Sequence, residues 1–210
     1  MAVSIVTYEK RDRIAWITLN RAEAMNALNP EVGAGLGQAF GEATKDDDVL
    51  VVILAGAGGR AFSAGMDLKW RASQDAGGAS GQPVTIGHRE VGACPKPVIA
   101  AIDGYCLAGG MQLANRCDIR IATEQSRFGM LEARRGLAAV GVIDTPEMVV
   151  PAGEAALILM TGGMMTASRA YDIGLIQALA PDRDALFAEA ERLANEIKLC
   201  APLAVQAIKA

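Results

Sequence analysis

Short apolar segments alternate along this chain with polar turns and with stretches of helical spacing, a pattern that predicts alternating strands and helices. Residues 4–8 and 13–19 alternate β-branched or aromatic residues with polar ones, so they are predicted to pair as strands around a polar turn at 9–12. Repeated strand–turn–helix units are typical of an α/β fold. Further strands, almost wholly apolar, are predicted at residues 49–55, 97–102 and 118–122.

Apolar residues at helical spacing predict helices between the strands and through the last third of the chain. The first runs from Pro30 to Ala43, because proline is well tolerated in the first turn of a helix. Residues 72–86 are rich in Gly, Ser and Gln with little periodicity, and they predict a surface segment that could serve as a lid. The other helices are predicted at residues 109–115, 152–160, 166–172 and 184–198, with one more beginning after 201.

Two glycine-flanked turns, residues 61–68 and 103–112, carry the strongest chemical signal. Each follows an apolar strand and leads into a predicted helix. The first N–H groups of a helix have no partner within it and, together with the helix dipole, favour an anion. Two such donors could converge on a carbonyl oxygen as it gains negative charge, and each would contribute about 3 kcal/mol. Either turn alone would be an ordinary tight connection, but the pair in this order favours a site.

Composition narrows the class of protein. The 210 residues suit one domain, or one domain with a small appendage, and 51% of them are apolar. A formal charge of −4 without a Lys/Arg-rich block argues against a nucleic-acid-binding surface. The first residues lack the pattern of a signal peptide, and no apolar run is long enough to span a bilayer. We therefore expect a cytoplasmic protein that does not bind membranes.

Metal and disulfide chemistry find little support. There is a single histidine, and the four cysteines show no CxxC spacing, so neither a zinc site nor a disulfide framework is expected. Each cysteine is expected to be a small buried apolar residue. The four are Cys94, Cys106, Cys117 and Cys200.

Four segments of the chain match a known pattern: residues 20–28, 61–68, 104–110 and 117–122. Together they resemble the crotonase superfamily, the enoyl-CoA hydratase/isomerase family. The resemblance implies an α/β spiral of ββα units, coenzyme A thioester substrates, an enolate-like intermediate, and homotrimers or dimers of trimers. It also implies that no metal or redox cofactor is used. Residues 1–180 would form the spiral core, and 181–210 would begin a C-terminal helical region that is shorter than usual.

The resemblance also implies roles for residues of the two turns. The backbone N–H groups of Met66 and Gly109 would hold the thioester oxygen. The first turn would also lie along the bound coenzyme A, with backbone contacts to its adenine end. The residues in that contact would be Ala64, Met66, Asp67, Leu68 and Lys69.

Hydratases of the family use two glutamates, and this chain keeps one of the two. Glu132 stands in the Phe-Gly-x-x-Glu segment, whereas Gln112 occupies the other position. An amide can hold a water molecule but cannot exchange a proton at neutral pH. We therefore expect an enoyl-CoA hydratase with Glu132 as acid and base. The alternatives are a double-bond isomerase or acyl-CoA hydrolase that uses Glu132 alone, and an acyl-CoA-binding protein with weak catalysis.

Several polar residues have two interpretations. Glu132 could instead be an exposed loop carboxylate paired with Arg134 or Arg135. Asp144 could compensate for the missing glutamate, or it could cap a helix that begins near Pro146. His88 fits a surface or capping role, although some relatives that cleave carbon–carbon bonds use an active-site histidine. Two aspartates that match family positions, Asp67 and Asp118, are expected to make structural hydrogen bonds.

Overall fold

Two β-sheets organise the chain, and the computed structural model describes residues 4–76, 86–137 and 150–210. The strands are β1 (Val6–Arg11), β2 (Ile14–Leu19), β3 (Val51–Gly56), β4 (Ala61–Ser63), β5 (Val98–Ile102), β6 (Tyr105–Leu107), β7 (Ile119–Thr123), β8 (Arg127–Gly129), β9 (Met164–Thr166) and β10 (Ala178–Ala180). The helices are α1 (Pro30–Lys45), α2 (Leu68–Ala76), α3 (His88–Gly92), α4 (Gly109–Asn115), α5 (Ala152–Thr161), α6 (Ala167–Asp172), α7 (Arg183–Lys198) and α8 (Pro202–Lys209).

The larger sheet has six strands in the order β1-β2-β3-β5-β7-β10. All neighbours are parallel except β1 and β2, which are antiparallel. Every residue of β3 and of β5 is buried, which is why these strands are continuous apolar runs without alternation. The structure confirms the predicted strands at β2, β3, β5 and β7, with ends displaced by two residues or fewer.

The first hairpin differs from the prediction. β1 continues to Arg11, and the connection to β2 is a turn at Asp12 and Arg13, with φ of 43° and 64°. Two left-handed residues in succession are typical of the tight turn whose twist matches that of the strands it joins. Three of the polar residues that suggested a turn, Glu9, Lys10 and Arg11, lie on an edge strand, where charged side chains are tolerated. One of them, Lys10, pairs with Asp46 at 2.8 Å.

Helices cover both faces of the large sheet. α1 packs on one face, and α7 packs on the other through Leu186, Ala190 and Ala194, all fully buried at helical spacing. The ring of Trp16 meets that of Phe187 edge-on, with centroids 5.9 Å apart. α7 thus completes a core to which β2, the second strand of the chain, also contributes. The division of the chain at residue 180 stays a prediction.

A second, smaller sheet has the order β4-β6-β8-β9, with three residues in each strand. β4, β6 and β8 are parallel, and each follows a long strand of the larger sheet after a tight turn. At one such turn Gly104 has a φ of 78°, and a Cβ there would lie 2.2 Å from the Arg60 carbonyl oxygen. Long strand, short strand and helix therefore repeat along the chain, which confirms the predicted spiral of ββα units.

Two other predictions need correction. Residues 72–76 belong to α2, so the first part of the expected lid is helical, and residues 77–85 lie outside the described residues. Cys200 is exposed, because it follows the end of α7 near the C-terminus. The other three cysteines are buried, and all four are free thiols. No helix in the described parts of the chain is both long and apolar enough to cross a membrane.

The C-terminal helix is fastened to the large sheet by charged groups. Lys209 of α8 donates to the Lys96 carbonyl at 2.9 Å and to the Asp118 carboxylate at 2.7 Å. The same carboxylate accepts the Val98 N–H at 2.7 Å. Asp118 thus has the structural role that its position predicted.

Candidate active site

Three segments of the candidate site leave the small sheet at the same edge. β4, β6 and β8 are parallel neighbours, so the residues that follow them emerge side by side. Ligands bind preferentially at the carboxyl ends of parallel strands. The segments are residues 64–67, 108–112 and 130–132.

Buried polar groups support the first turn. Ser63 Oγ accepts the Gly65 N–H at 3.2 Å and donates to the Asn26 carbonyl at 2.8 Å. Leu28 brackets Met66, because its N–H donates to the Gly65 carbonyl and its carbonyl accepts the Asp67 N–H, both at 2.8 Å. The peptides on either side of Met66 are thus held, and neither bond uses the Met66 N–H.

The two predicted turns are in direct contact. Gly65 has a φ of 87°, and a Cβ there would lie 2.8 Å from the Ala108 Cβ and 2.9 Å from the Gly109 nitrogen. From the other side, a Cβ on Gly109 would lie 3.6 Å from the Met66 nitrogen. The approach at Gly65 requires glycine, whereas a Cβ on Gly109 would be in ordinary van der Waals contact. The structure therefore brings the Met66 and Gly109 backbones together, as the sequence predicted.

The second turn depends on an unusual backbone conformation. Ala108 has φ 51° and ψ −126°, a sparsely populated combination that costs about 1–3 kcal/mol. Its N–H donates to the Gly129 carbonyl at 2.8 Å, and its carbonyl accepts the Gln112 N–H at 3.1 Å as α4 begins. In a trans peptide the N–H points opposite to the carbonyl. The Gly109 N–H therefore points out of the start of α4.

Glu132 is half-buried, in contrast to the alternative of an exposed loop carboxylate. Its Oε2 is buried and has no hydrogen-bond partner among the described residues. Burial raises the pKa of this carboxyl, while its own backbone N–H and Arg135 act in the opposite direction. A carboxyl with a raised pKa and an uncommitted oxygen suits proton transfer.

The remaining predicted residues surround this centre. Gln112 is half-buried in the first turn of α4. Ala64 is half-buried, with its N–H engaged by the Met25 carbonyl at 3.0 Å. Leu68 and Lys69 are exposed at the start of α2. Asp144 lies outside the described residues.

Asp67 holds the first turn in place, and its main partner was not identified from the sequence. Its carboxylate accepts the Trp70 N–H at 3.1 Å and pairs with Arg21 at 3.1 Å, with both side chains of the pair mostly buried. Burial acts to raise the pKa of Asp67, but the Trp70 N–H and the Arg21 guanidinium together hold the pKa below its ordinary value. The structural role predicted for Asp67 is confirmed.

We expect Asp67→Asn to lower the free energy of unfolding at neutral pH by about 2 kcal/mol. Asparagine can still accept the Trp70 N–H at the start of α2, but it loses the ion pair with Arg21. Since the folded-state pKa is depressed, this stability is present above the unfolded pKa and is lost as pH falls through the folded pKa. The free energies of unfolding of the wild type and Asp67→Asn, measured with denaturant, should therefore converge as pH falls below the ordinary aspartate pKa of 3.8. Asp182→Asn, which changes the cap of α7 at an exposed site, is the control and should cost almost nothing.

His88 lies against the second turn, contrary to the expected surface or capping role. It is the first residue of α3, is half-buried, and places its Nε2 2.7 Å from the Gly109 carbonyl oxygen. No spacing in the sequence indicates this contact.

Among the described residues no group of three or more His, Cys, Asp or Glu side chains is arranged to hold a metal ion.

The fold and this site together define an α/β protein in which the Gly65–Met66 backbone lies against Gly109, and Glu132 follows the neighbouring strand β8. A family model described as enoyl-CoA hydratase/isomerase matches residues 9–210. The chain therefore belongs to the enoyl-CoA hydratase/isomerase family, which confirms the resemblance found in its sequence.

Individual relatives include both hydratases and isomerases. The chain is 36% identical to (E)-benzylidenesuccinyl-CoA hydratase of Thauera aromatica, over 97% of this chain and 80% of that protein. It is 33% identical to the mitochondrial Delta(3,5)-Delta(2,4)-dienoyl-CoA isomerase of Mus musculus, over 98% of this chain and 67% of that protein. The crystal structure of an enoyl-CoA hydratase from Mycobacterium tuberculosis H37Rv superposes with a TM-score of 0.87 at 38% identity, over 99% of this chain and 81% of that chain.

Proposed function

We propose that the protein is an enoyl-CoA hydratase that adds water across the double bond of a 2-enoyl-CoA thioester. The observation that carries the proposal is the close approach of the Gly65–Met66 backbone to Gly109, with Glu132 shortly after the neighbouring strand β8. Hydratases among the relatives support the same reaction.

The thioester oxygen would accept hydrogen bonds from the Met66 and Gly109 N–H groups. When the oxygen of a water molecule bonds to C3, the electrons of the double bond move through C2 to the thioester oxygen and form an enolate. Donors fixed in advance stabilise such a charge without reorganisation, and each contributes about 3 kcal/mol. The side chain of residue 66 does not enter this step, which makes methionine acceptable there.

Glu132 would move the protons. As a carboxylate it takes a proton from the attacking water, and the resulting carboxylic acid delivers a proton to C2 of the enolate. The reaction returns Glu132 to its starting state, so a single carboxyl balances the hydration. Gln112 would orient the water through its amide, because it can donate and accept hydrogen bonds but cannot take the proton.

Coenzyme A would lie along the first turn. The N–H groups of Ala64 and Asp67 are engaged within the protein, and so is the Asp67 carboxylate. We therefore expect Asp67 to shape this surface and the exposed side chains of Leu68 and Lys69 to contact the cofactor portion of the substrate. The ammonium group of Lys69 suits a phosphate.

Hydration is redox-neutral and proceeds by proton transfer, so we propose that it needs no metal or redox cofactor.

We also propose a cytoplasmic homotrimer or dimer of trimers. Leu203 and Ile208 of α8 are more than three-quarters exposed, at 80% and 86%, and a neighbouring subunit would cover such apolar surface. Light scattering after size-exclusion chromatography tests the assembly.

Isomerisation is the second candidate, because Gln112 stands where hydratases of the family place a glutamate. Moving a double bond requires one group that removes a proton and returns it, a task within the reach of Glu132 alone. An isomerase among the relatives supports this possibility. Thioester hydrolysis with Gln112 holding the water, and acyl-CoA binding with little turnover, are further alternatives.

Two substrates separate these reactions. With crotonyl-CoA, a hydratase removes the absorbance of the conjugated thioester. With a 3-enoyl-CoA, an isomerase creates that absorbance, and a thiol reagent detects the free coenzyme A that a hydrolase releases. A response to the 3-enoyl-CoA alone would contradict the hydratase proposal, and acyl-CoA binding without any turnover would identify a binding protein.

Gln112→Glu is expected to raise kcat for crotonyl-CoA by about 10-fold, since a second carboxyl can share the proton transfers with Glu132. Gln112→Met, which is similar in size but cannot hold a water, is expected to lower it. Steady-state kinetics of the two variants provide the measurement. Equal rates for the wild type and both variants would show that residue 112 does not contact the reacting water.

A further inference from the structure

His88 contacts the second turn, and the proposed function leaves this contact unexplained. Its Nε2 lies 2.7 Å from the Gly109 carbonyl oxygen, and the two residues belong to different elements, α3 and α4. A carbonyl oxygen only accepts hydrogen bonds, so Nε2 carries a proton and donates it. A nitrogen in that state cannot take a proton from the substrate.

The position of His88 is determined by packing around it. The preceding residue, Gly87, has a φ of 96°, and a Cβ there would lie 2.3 Å from a methyl group of Leu36 in α1. Ile86 reaches the second turn as well, since its Cδ1 lies 3.7 Å from where a Cβ of Gly109 would be. Val91, in the same short helix, is fully buried. α3 is thus held between α1 and α4 with its imidazole directed at the turn.

The second turn needs such an anchor. α4 has only seven residues and begins with Gly109 and Gly110, the residue type with the weakest helix propensity after proline. Ala108, just before it, is in a costly backbone conformation. On one side the turn is bound by the Ala108 N–H to the Gly129 carbonyl. On the other side it is bound by His88.

We propose that His88 is a positioning residue that fixes the Gly109 backbone so that its N–H points at the substrate oxygen. By holding the Gly109 carbonyl, His88 restricts rotation about the one glycine whose N–H must keep its direction. This inference rests on the proposed function, because the benefit is realised only when a thioester oxygen gains charge. Both the neutral Nε2–H tautomer and the imidazolium retain the donor.

Three substitutions test the role. In His88→Gln, the amide nitrogen replaces Nε2 at a similar distance from the backbone; in His88→Asn the same amide is too short to reach; in His88→Leu there is no donor. We expect kcat for crotonyl-CoA to fall about 10-fold or more in the Leu and Asn variants, because a small misplacement in a site is costly. KM should change less than kcat, and His88→Gln should recover most of the loss.

A spectroscopic readout separates positioning from general stability. The absorption of 4-(dimethylamino)cinnamoyl-CoA moves to longer wavelength as its thioester carbonyl is polarised. The wild type and His88→Gln should produce the full shift, whereas His88→Leu and His88→Asn should bind the probe with a smaller one. Full shifts and wild-type kcat in the Leu and Asn variants, or an equal loss in the Gln variant, would overturn the role of His88. A wild type that neither hydrates crotonyl-CoA nor shifts the probe would instead contradict the proposed function itself.

Discussion

Replacing Glu132 by glutamine is expected to lower kcat for crotonyl-CoA by about 10³-fold, with a much smaller change in KM. Glutamine has nearly the same shape but can neither accept the proton of the attacking water nor deliver one to C2. The loss should be large because Gln112 cannot replace the missing carboxyl. The measurement is steady-state kinetics, with thermal unfolding to confirm that the variant is folded.

The pH dependence of the wild type provides a second measurement on the same residue. Since burial raises the pKa of Glu132, the acid limb of kcat/KM should lie above the ordinary glutamate value of 4.5, and activity should fall as pH drops through it. Glu124→Gln makes the same chemical change in an exposed turn and should leave both kcat and the limb unchanged. Wild-type kcat in the Glu132 variant would exclude proton transfer by this carboxyl.

Replacing Glu132 by glutamine is also expected to stabilise the fold at neutral pH. A group whose folded-state pKa is raised contributes stability below its unfolded pKa, and that contribution is lost as pH rises through the folded pKa. Glutamine does not ionise, so the melting temperature of the variant should exceed that of the wild type by a margin that grows as pH rises from the ordinary glutamate pKa of 4.5 through the raised folded-state pKa. Lower activity with higher stability is typical of a residue kept for chemistry rather than for folding.

Sequence patterns predicted the large sheet better than the small one. β3 and β5 are apolar runs with five or six buried residues, long enough to be recognised without other information. The strands of the small sheet have three residues each, too few to establish a period, and none was predicted as a strand. The small sheet nevertheless arranges the site, because the segments that carry Met66, Gly109 and Glu132 follow its strands.

Some contacts within the site could likewise be predicted from the sequence, and others could not. The glycines of the two turns indicated close backbone approach, and the contact between Gly65 and Gly109 agrees with that expectation. The ion pair of Arg21 and Asp67 joins residues 46 positions apart, and the contact of His88 with Gly109 depends on how α3 packs against α4. Such pairings follow from tertiary packing, which a single sequence does not display.

Gly65→Ala is expected to lower kcat by about 10²–10³-fold, the effect of losing one donor to a developing oxyanion. The added methyl group would lie 2.9 Å from the Gly109 nitrogen and 2.8 Å from the Ala108 Cβ, so one turn must move away from the other. Separation of the turns would misdirect the Met66 or Gly109 N–H. Crotonyl-CoA kinetics and the wavelength shift of the bound cinnamoyl thioester both measure the effect.

Gly174→Ala separates this geometric effect from the cost of the backbone conformation. Gly174 has a φ of 79°, close to the 87° of Gly65, but a Cβ there would meet no atom of the described residues within 4 Å. Gly174→Ala should lose about 1 kcal/mol of stability, because alanine is strained at positive φ, and Gly65→Ala should lose more because its methyl group also displaces a turn. Only Gly65→Ala should also lose turnover and the wavelength shift. If the two variants lose stability equally and both retain wild-type kcat, then the contact between the turns does not orient the donors, and the Met66 and Gly109 N–H groups do not act as a pair.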